Sequence, residues 1–144
     1  MRDGVVLQTT GHTCGAAAAA TLLRQLGVPA NEAEMARLSG SAAWLGATEG
    51  ALCRALQLKL GASAFGVALL RPDEERLARF MRPVLARIRA DALRDHWVVL
   101  LALNDRVAVL GDPALGRVEM PAAEFLRARR GVTIVVDKTF MLPR

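Results

Sequence analysis

A chain of 144 residues, 53% of them hydrophobic, can bury one core; with no tyrosine and only 4% aromatics, that core must be built from Leu, Val and Ala. Two cysteines exclude a disulfide scaffold, and a net charge of +5, carried almost wholly by arginines interspersed with Asp and Glu, reads as a solvated basic surface and not a nucleic-acid interface. No apolar run is long enough to span a membrane and no signal-peptide pattern follows Arg2-Asp3, so the expected location is the cytoplasm or the extracytoplasmic face of a membrane, with nothing to choose between them.

The whole chain, 1–144, reads as one domain without repeats or linkers. Val5-Val6-Leu7 is a short extended lead-in. A helix is expected from Cys14 to Leu26, stopped by Gly27. Asn31 to Glu34 has the spacing of a capping box, which opens a second helix running to about Leu38. After the Ser39-Gly40-Ser41 loop, Thr48 can cap a third helix that carries Leu52, Ala55, Leu56 and Leu60 and stops at Gly61.

The second half is richer in strands. They are expected at Ala64–Leu70, Pro83–Ile88, Trp97–Leu103, Arg106–Leu110 and Val132–Val136. A short helix opens at Pro72-Asp73-Glu74-Glu75, with the proline in its first turn, and a last helix runs from Pro121 to about Arg129, with Gly131 leading into the final strand. Helices first and a mostly antiparallel sheet afterwards make the fold class α+β.

Three segments carry candidate chemistry. In Gln8 to Ala16, Cys14 stands where a loop turns into a helix, and unpaired N–H groups there favour a thiolate. Gly15 is expected to keep the space beside the sulfur open, and the Gln8 amide can reach an oxyanion together with the Cys14 N–H. Taken alone, Cys14 reads more readily as a small buried hydrophobe opening an Ala-rich helix. In the second segment, His96 sits at the mouth of an apolar strand, a place that also suits a purely structural histidine. The third, Gly111-Asp112-Pro113, reads alone as a strand ending in a turn.

Turn chemistry connects the last two. If Asn104-Asp105 closes a two-residue hairpin, Leu103 faces Arg106 and His96 falls opposite Pro113, next to Asp112. A carboxylate so placed can hold an imidazole in one tautomer, as in a Cys-His-Asp triad. The hairpin does not bring Cys14 to His96.

Gln8, Cys14-Gly15-Ala16, His96 followed by Trp97-Val98-Val99-Leu100, and Asp112-Pro113 with Gly116 together resemble the bacteriocin-processing, double-glycine leader peptidases and their stand-alone relatives. The likeness covers nearly the whole chain. It implies a papain-like fold and a cysteine peptidase in which Cys14 is the nucleophile, His96 the base, Asp112 its orienter and Gln8 part of the oxyanion hole. Transporter-fused members usually carry aspartate directly before the cysteine; Thr13 stands here, which points to the stand-alone branch. A narrow channel beside the cysteine is then expected to admit only Gly or Ala before the scissile bond, with a leader segment bound away from the cut. The expected partner is a peptide or precursor protein, with a transporter or membrane-associated secretion component as a further candidate.

Cys53 reads as core on an apolar helix face, His12 as a loop histidine and Trp97 as packing, while Trp44 is a candidate wall of the cleft. The spacings for a metal site are absent, so no metal or cofactor is expected. Two other functions share the triad: a peptide-binding domain with little turnover, and a Cys-His-Asp acyltransferase.

Overall fold

The computed structural model describes residues 1–40, 48–61, 63–80, 83–90 and 94–138; Ser41 and Trp44 lie outside the described residues. Helix α1 spans Cys14–Gln25, and its alanines with Leu22 and Leu23 are wholly buried. It ends before Gly27, which takes up φ +84°. Helix α2, Glu32–Ser39, begins where the Asn31 side chain accepts the Glu34 N–H, and helix α3, Glu49–Leu60, where Thr48 accepts the N–H of Ala51.

Strand β1 covers Phe65–Leu70 and helix α4 Glu74–Ala78. Asp73 is the cap of α4, so Pro72 precedes the cap and is not in the first turn as expected. Strands β2 (Val84–Arg89), β3 (Asp95–Leu103), β4 (Val107–Asp112) and β5 (Gly116–Pro121) follow, then helix α5 (Ala122–Ala128) and strand β6 (Arg129–Lys138). β5 is an addition to the elements expected from sequence, and Gly131 lies inside β6 at a register irregularity instead of before the strand.

The six strands form one sheet in the order β1-β6-β2-β3-β4-β5, every neighbouring pair antiparallel. Alternation along the central strands sends side chains to two cores. Leu85, Trp97, Val99, Ile134 and Val136 pack with α1 and α3, while Val84, Ala86, Val98, Leu100 and Leu110 pack with Leu77 of α4 and Phe125 of α5. The class is α+β, with a sheet apolar on both faces and helices on each.

The β3–β4 hairpin departs from the expected register. Asn104 donates its N–H to the Val107 carbonyl at 3.1 Å, and its Oδ1 accepts the N–H groups of Arg106 and Val107, each at 2.8 Å. The turn is therefore wider than two residues, and Leu103 faces Ala108 instead of Arg106. An irregularity between Leu100 and Ala102 shifts the pairing once more, and the ladder ends at Val99 opposite Gly111. Asp112 still arrives beside His96, because the register carried past that rung sets Asp112 opposite Val98, diagonal to His96 on the same face.

Candidate active site

Helix α1 packs against β3, so its first residue, Cys14, meets the start of that strand. The segment before it is anchored on both sides: Val6 donates its N–H to Thr21 Oγ1 of α1 at 2.8 Å, and Gln8 donates its N–H to the Pro113 carbonyl after β4 at 2.8 Å. The backbone thereby gathers one helix end and the ends of two strands. Gln8, Cys14, His96 and Asp112 line one cavity of about 510 Å³, with Ile88 and Met120 on its wall.

His96 Nε2–H donates to Asp112 Oδ1 at 2.8 Å, and the same oxygen accepts the Ala114 N–H at 2.8 Å. That leaves Nδ1 as the ring nitrogen for the Cys14 sulfur, to which the imidazole is hydrogen-bonded. Burial alone would raise the Cys14 thiol pKa. The hydrogen bond and charge of His96, with the N–H groups of Trp97 and Gly15, outweigh burial and lower it. For His96, burial acts to lower the pKa, but Asp112 and Cys14 raise it to about 9. Burial would raise Asp112; His96 and the N–H groups of Ala114 and Leu115 hold it below the usual carboxylate range. The three groups favour a thiolate, an imidazolium and a carboxylate in line, a charge pattern suited to nucleophilic attack followed by proton donation.

Gln8 is held differently. Its Nε2 donates to the Thr10 carbonyl at 2.7 Å, and among the described residues no donor reaches its buried Oε1. Turning the amide over would set two carbonyl oxygens face to face, so the Thr10 bond fixes the amide's sense and leaves its second N–H uncommitted.

Gly15 corrects the sequence reading. It is buried, and a Cβ there would stand 2.9 Å from Leu52 Cδ1 and 3.1 Å from Trp97 Cδ1. It lets α1 pack close against the core and opens no space beside the sulfur. Trp97, 4% exposed, is packing as expected, with the Arg87 guanidinium 5.7 Å from its ring centroid. Cys53 is buried in the same core, and burial raises its thiol pKa. His12 lies in the loop, its Nδ1 3.2 Å from Thr10 Oγ1.

The sequence reading missed two contributors. The Trp97 N–H reaches the sulfur through its backbone, for which the side chain gives no signal. Glu32, read only as part of a capping box, receives the Thr13 hydroxyl and two donors from Thr9.

Residues 2–141 match the family model of the peptidase C39 family. An uncharacterized protein of Methanothermobacter marburgensis is 36% identical over 141 residues, covering 93% of this chain and 88% of that protein. A double glycine motif protease from an AMS/PCAT transporter, crystallised in complex with the leader peptide, superposes with a TM-score of 0.80 at 23% identity, over 94% of this chain and 91% of that one. The peptidase domain of Streptococcus ComA, a bi-functional ABC transporter involved in quorum sensing, also gives 0.80, at 20% identity over 94% of this chain and 98% of that one. These likenesses show the fold, which is the expected papain-like one. Among the described residues no helix is long and apolar enough to cross a membrane.

Proposed function

We propose, since the chain belongs to the peptidase C39 family, that it is a cysteine peptidase cutting a leader or precursor peptide after small residues. The observation that carries this reading is the hydrogen-bonded line of Cys14, His96 and Asp112 in one cavity. In the proposed reaction the Cys14 thiolate adds to the scissile carbonyl carbon. The oxyanion that forms takes hydrogen bonds from the Gln8 amide and the Cys14 N–H. The carbon–nitrogen bond then breaks as the His96 imidazolium gives its proton to the leaving amine, leaving a thioester. Water, deprotonated by the now neutral His96, attacks the thioester and releases the carboxylate product, and the proton returns to the Cys14–His96 pair. Asp112 keeps the imidazole turned so that Nδ1 faces the sulfur throughout.

The substrate class rests on likeness to the double glycine motif protease, since Gly15 does not supply the open channel expected of it. A transporter that presents the precursor is the corresponding partner, by the same likeness. The test is mass spectrometry of a precursor peptide with a Gly-Gly junction incubated with the chain and with Cys14→Ala. Cleavage after the second Gly by the first alone is expected. No cleavage by either, or transfer of the acyl group to an added amine in preference to water, defeats the hydrolase reading.

A further inference from the structure

The loop from Gln8 to Cys14 is shaped by hydrogen bonds, not by apolar packing. Thr9, Thr10 and Gly11 are exposed, and a Cβ on Gly11 would meet nothing within 4 Å. Its hydrogen bonds converge on one carboxylate from another element. Glu32, the first residue of α2, accepts the Thr9 N–H at 2.7 Å, the Thr9 hydroxyl at 2.8 Å and the Thr13 hydroxyl at 2.7 Å. The Thr10 and Thr13 hydroxyl oxygens stand 2.9 Å apart; with the Thr13 proton given to Glu32, Thr10 is the donor between them. The Thr10 carbonyl in turn holds Gln8 Nε2 at 2.7 Å. A continuous chain thus runs from Glu32 through Thr13 and Thr10 to the Gln8 amide.

Two further details separate this chain from ordinary helix capping. Thr13 occupies the N-cap position of α1, where a threonine side chain normally accepts an N–H of the first turn and so stabilises the helix. Here it makes no such bond; the hydroxyl is turned to Glu32. Glu32 is not needed to cap α2 either, because Asn31 does that, and Glu34, the residue that would complete the capping box, pairs with Lys59 at 2.7 Å. Burial of Glu32 would raise its pKa, but the Thr13 and Thr9 donors and the nearby His12 hold it below the usual carboxylate range, so the acceptor stays charged at neutral pH.

We infer that Glu32 is a positioning residue for the oxyanion hole: through Thr13 and Thr10 it fixes the carbonyl that holds the Gln8 amide in place. The inference rests on the peptidase reading above. It supplies from α2 a carboxylate next to the loop, at a site where position 13 itself bears only a hydroxyl.

The test uses the full chain and two probes. Acetyl-Gly-glycinal is an aldehyde to which the Cys14 sulfur adds, turning its carbonyl oxygen into the oxyanion position. Iodoacetamide alkylates the same sulfur without forming an oxyanion. Glu32→Gln, which sets an amide N–H against donors, and Thr13→Val should each weaken aldehyde binding by about tenfold, a fraction of the roughly 10²–10³-fold that one oxyanion donor supplies. Their alkylation rates at Cys14 should stay within about twofold of the unsubstituted chain, since neither touches the His96 pair. Thr13→Ser should restore aldehyde binding. In a Gln8→Ala background, Glu32→Gln should cause no further loss, because a residue acting only through Gln8 has nothing left to position. A full additional loss in that background, or a parallel drop in both probes with a lowered melting temperature, overturns the inference and leaves Glu32 a structural anchor. If Gln8→Ala itself leaves aldehyde binding unchanged, the oxyanion assignment fails first and this inference falls with it; if Gln8→Ala acts and Glu32→Gln does not, only the inference falls.

Discussion

The two cysteines pack against the same core cluster, yet the structure drives their thiols in opposite directions. Burial is the leading influence on both and raises both. Cys53 sits within α3, where the backbone N–H groups are already spent on the helix, and nothing opposes burial. Cys14 is the first residue of α1, where N–H groups are unpaired, and the ends of β3 and β4 bring it an imidazole, a carboxylate behind that imidazole and the Trp97 N–H. The difference teaches that a lowered thiol pKa is made by where donors converge, not by exposure.

The strongest way to break this contrast is to exchange the roles. Cys14→Ala should lower turnover of a Gly-Gly precursor by on the order of 10⁶-fold, and His96→Ala nearly as much, because members of one catalytic unit are not additive. Cys53→Ser should leave turnover unchanged. The reverse result in a steady-state assay would mean that the helix end is packing and the helix middle is the site. Next in size is Gln8→Ala, expected to reduce kcat by roughly 10²–10³-fold if its free amide N–H meets the oxyanion. A rise in KM alone would make Gln8 a substrate-binding residue instead.

A competition between the thiols sharpens the same comparison. At pH 6.5 an ordinary thiol, with a pKa of about 8.5, is only about 1% thiolate, so iodoacetamide should label Cys14, whose pKa is lowered, faster than Cys53, whose pKa burial raises. The labelling rate should fall only when the pH drops through the depressed Cys14 value. Turnover needs the imidazolium proton as well, so it should decline as the pH rises through about 9, the raised value of His96. Peptide mapping by mass spectrometry gives the labelling ratio; equal labelling, or a Cys14 profile centred near an ordinary thiol pKa, contradicts the ion pair.

What the sequence made legible follows the range of the interactions. Caps at Asn31 and Thr48 and the stop at Gly27 are local, and they could be read because each acts within one turn. The His96–Asp112 pair was reached through turn chemistry whose register was wrong in detail: the turn is wider, and a later irregularity moves the pairing again without a residue that announces it. The pair forms because the register, carried one residue past the last rung, sets Asp112 opposite Val98 and so diagonal to His96 on the same face, close enough to bond despite the slip. β5 had a signal that went unread, since Arg117 and Glu119 are exposed while Val118 and Met120 are half-buried, the alternation of a strand. Glu32 and the Trp97 N–H had none, because one acts across elements far apart in sequence and the other through backbone that every residue shares.

Gly15 separates the two readings of the helix end most finely, with the smallest expected effect. If it kept a substrate channel open, Gly15→Ala would reduce turnover and leave stability alone. The structure predicts otherwise. The new methyl would stand 2.9 Å from Leu52 Cδ1 and 3.1 Å from Trp97 Cδ1, and these neighbours are 0% and 4% exposed, with little room to retreat. Overpacking of this kind costs about 1–3 kcal/mol, against about 1 kcal/mol that alanine gains over glycine within a helix. Denaturant unfolding should therefore show a net loss of up to about 2 kcal/mol. Leu52→Ala alone should cost about 2–5 kcal/mol by leaving a cavity. In that background much of the clash is gone, and adding Gly15→Ala should become neutral or stabilising by up to about 1 kcal/mol. The change of sign is the test. An unfolding free energy that Gly15→Ala lowers equally in both backgrounds would show that Leu52 is not what confines the position, and unchanged stability with lost turnover would return Gly15 to the substrate side of the sulfur.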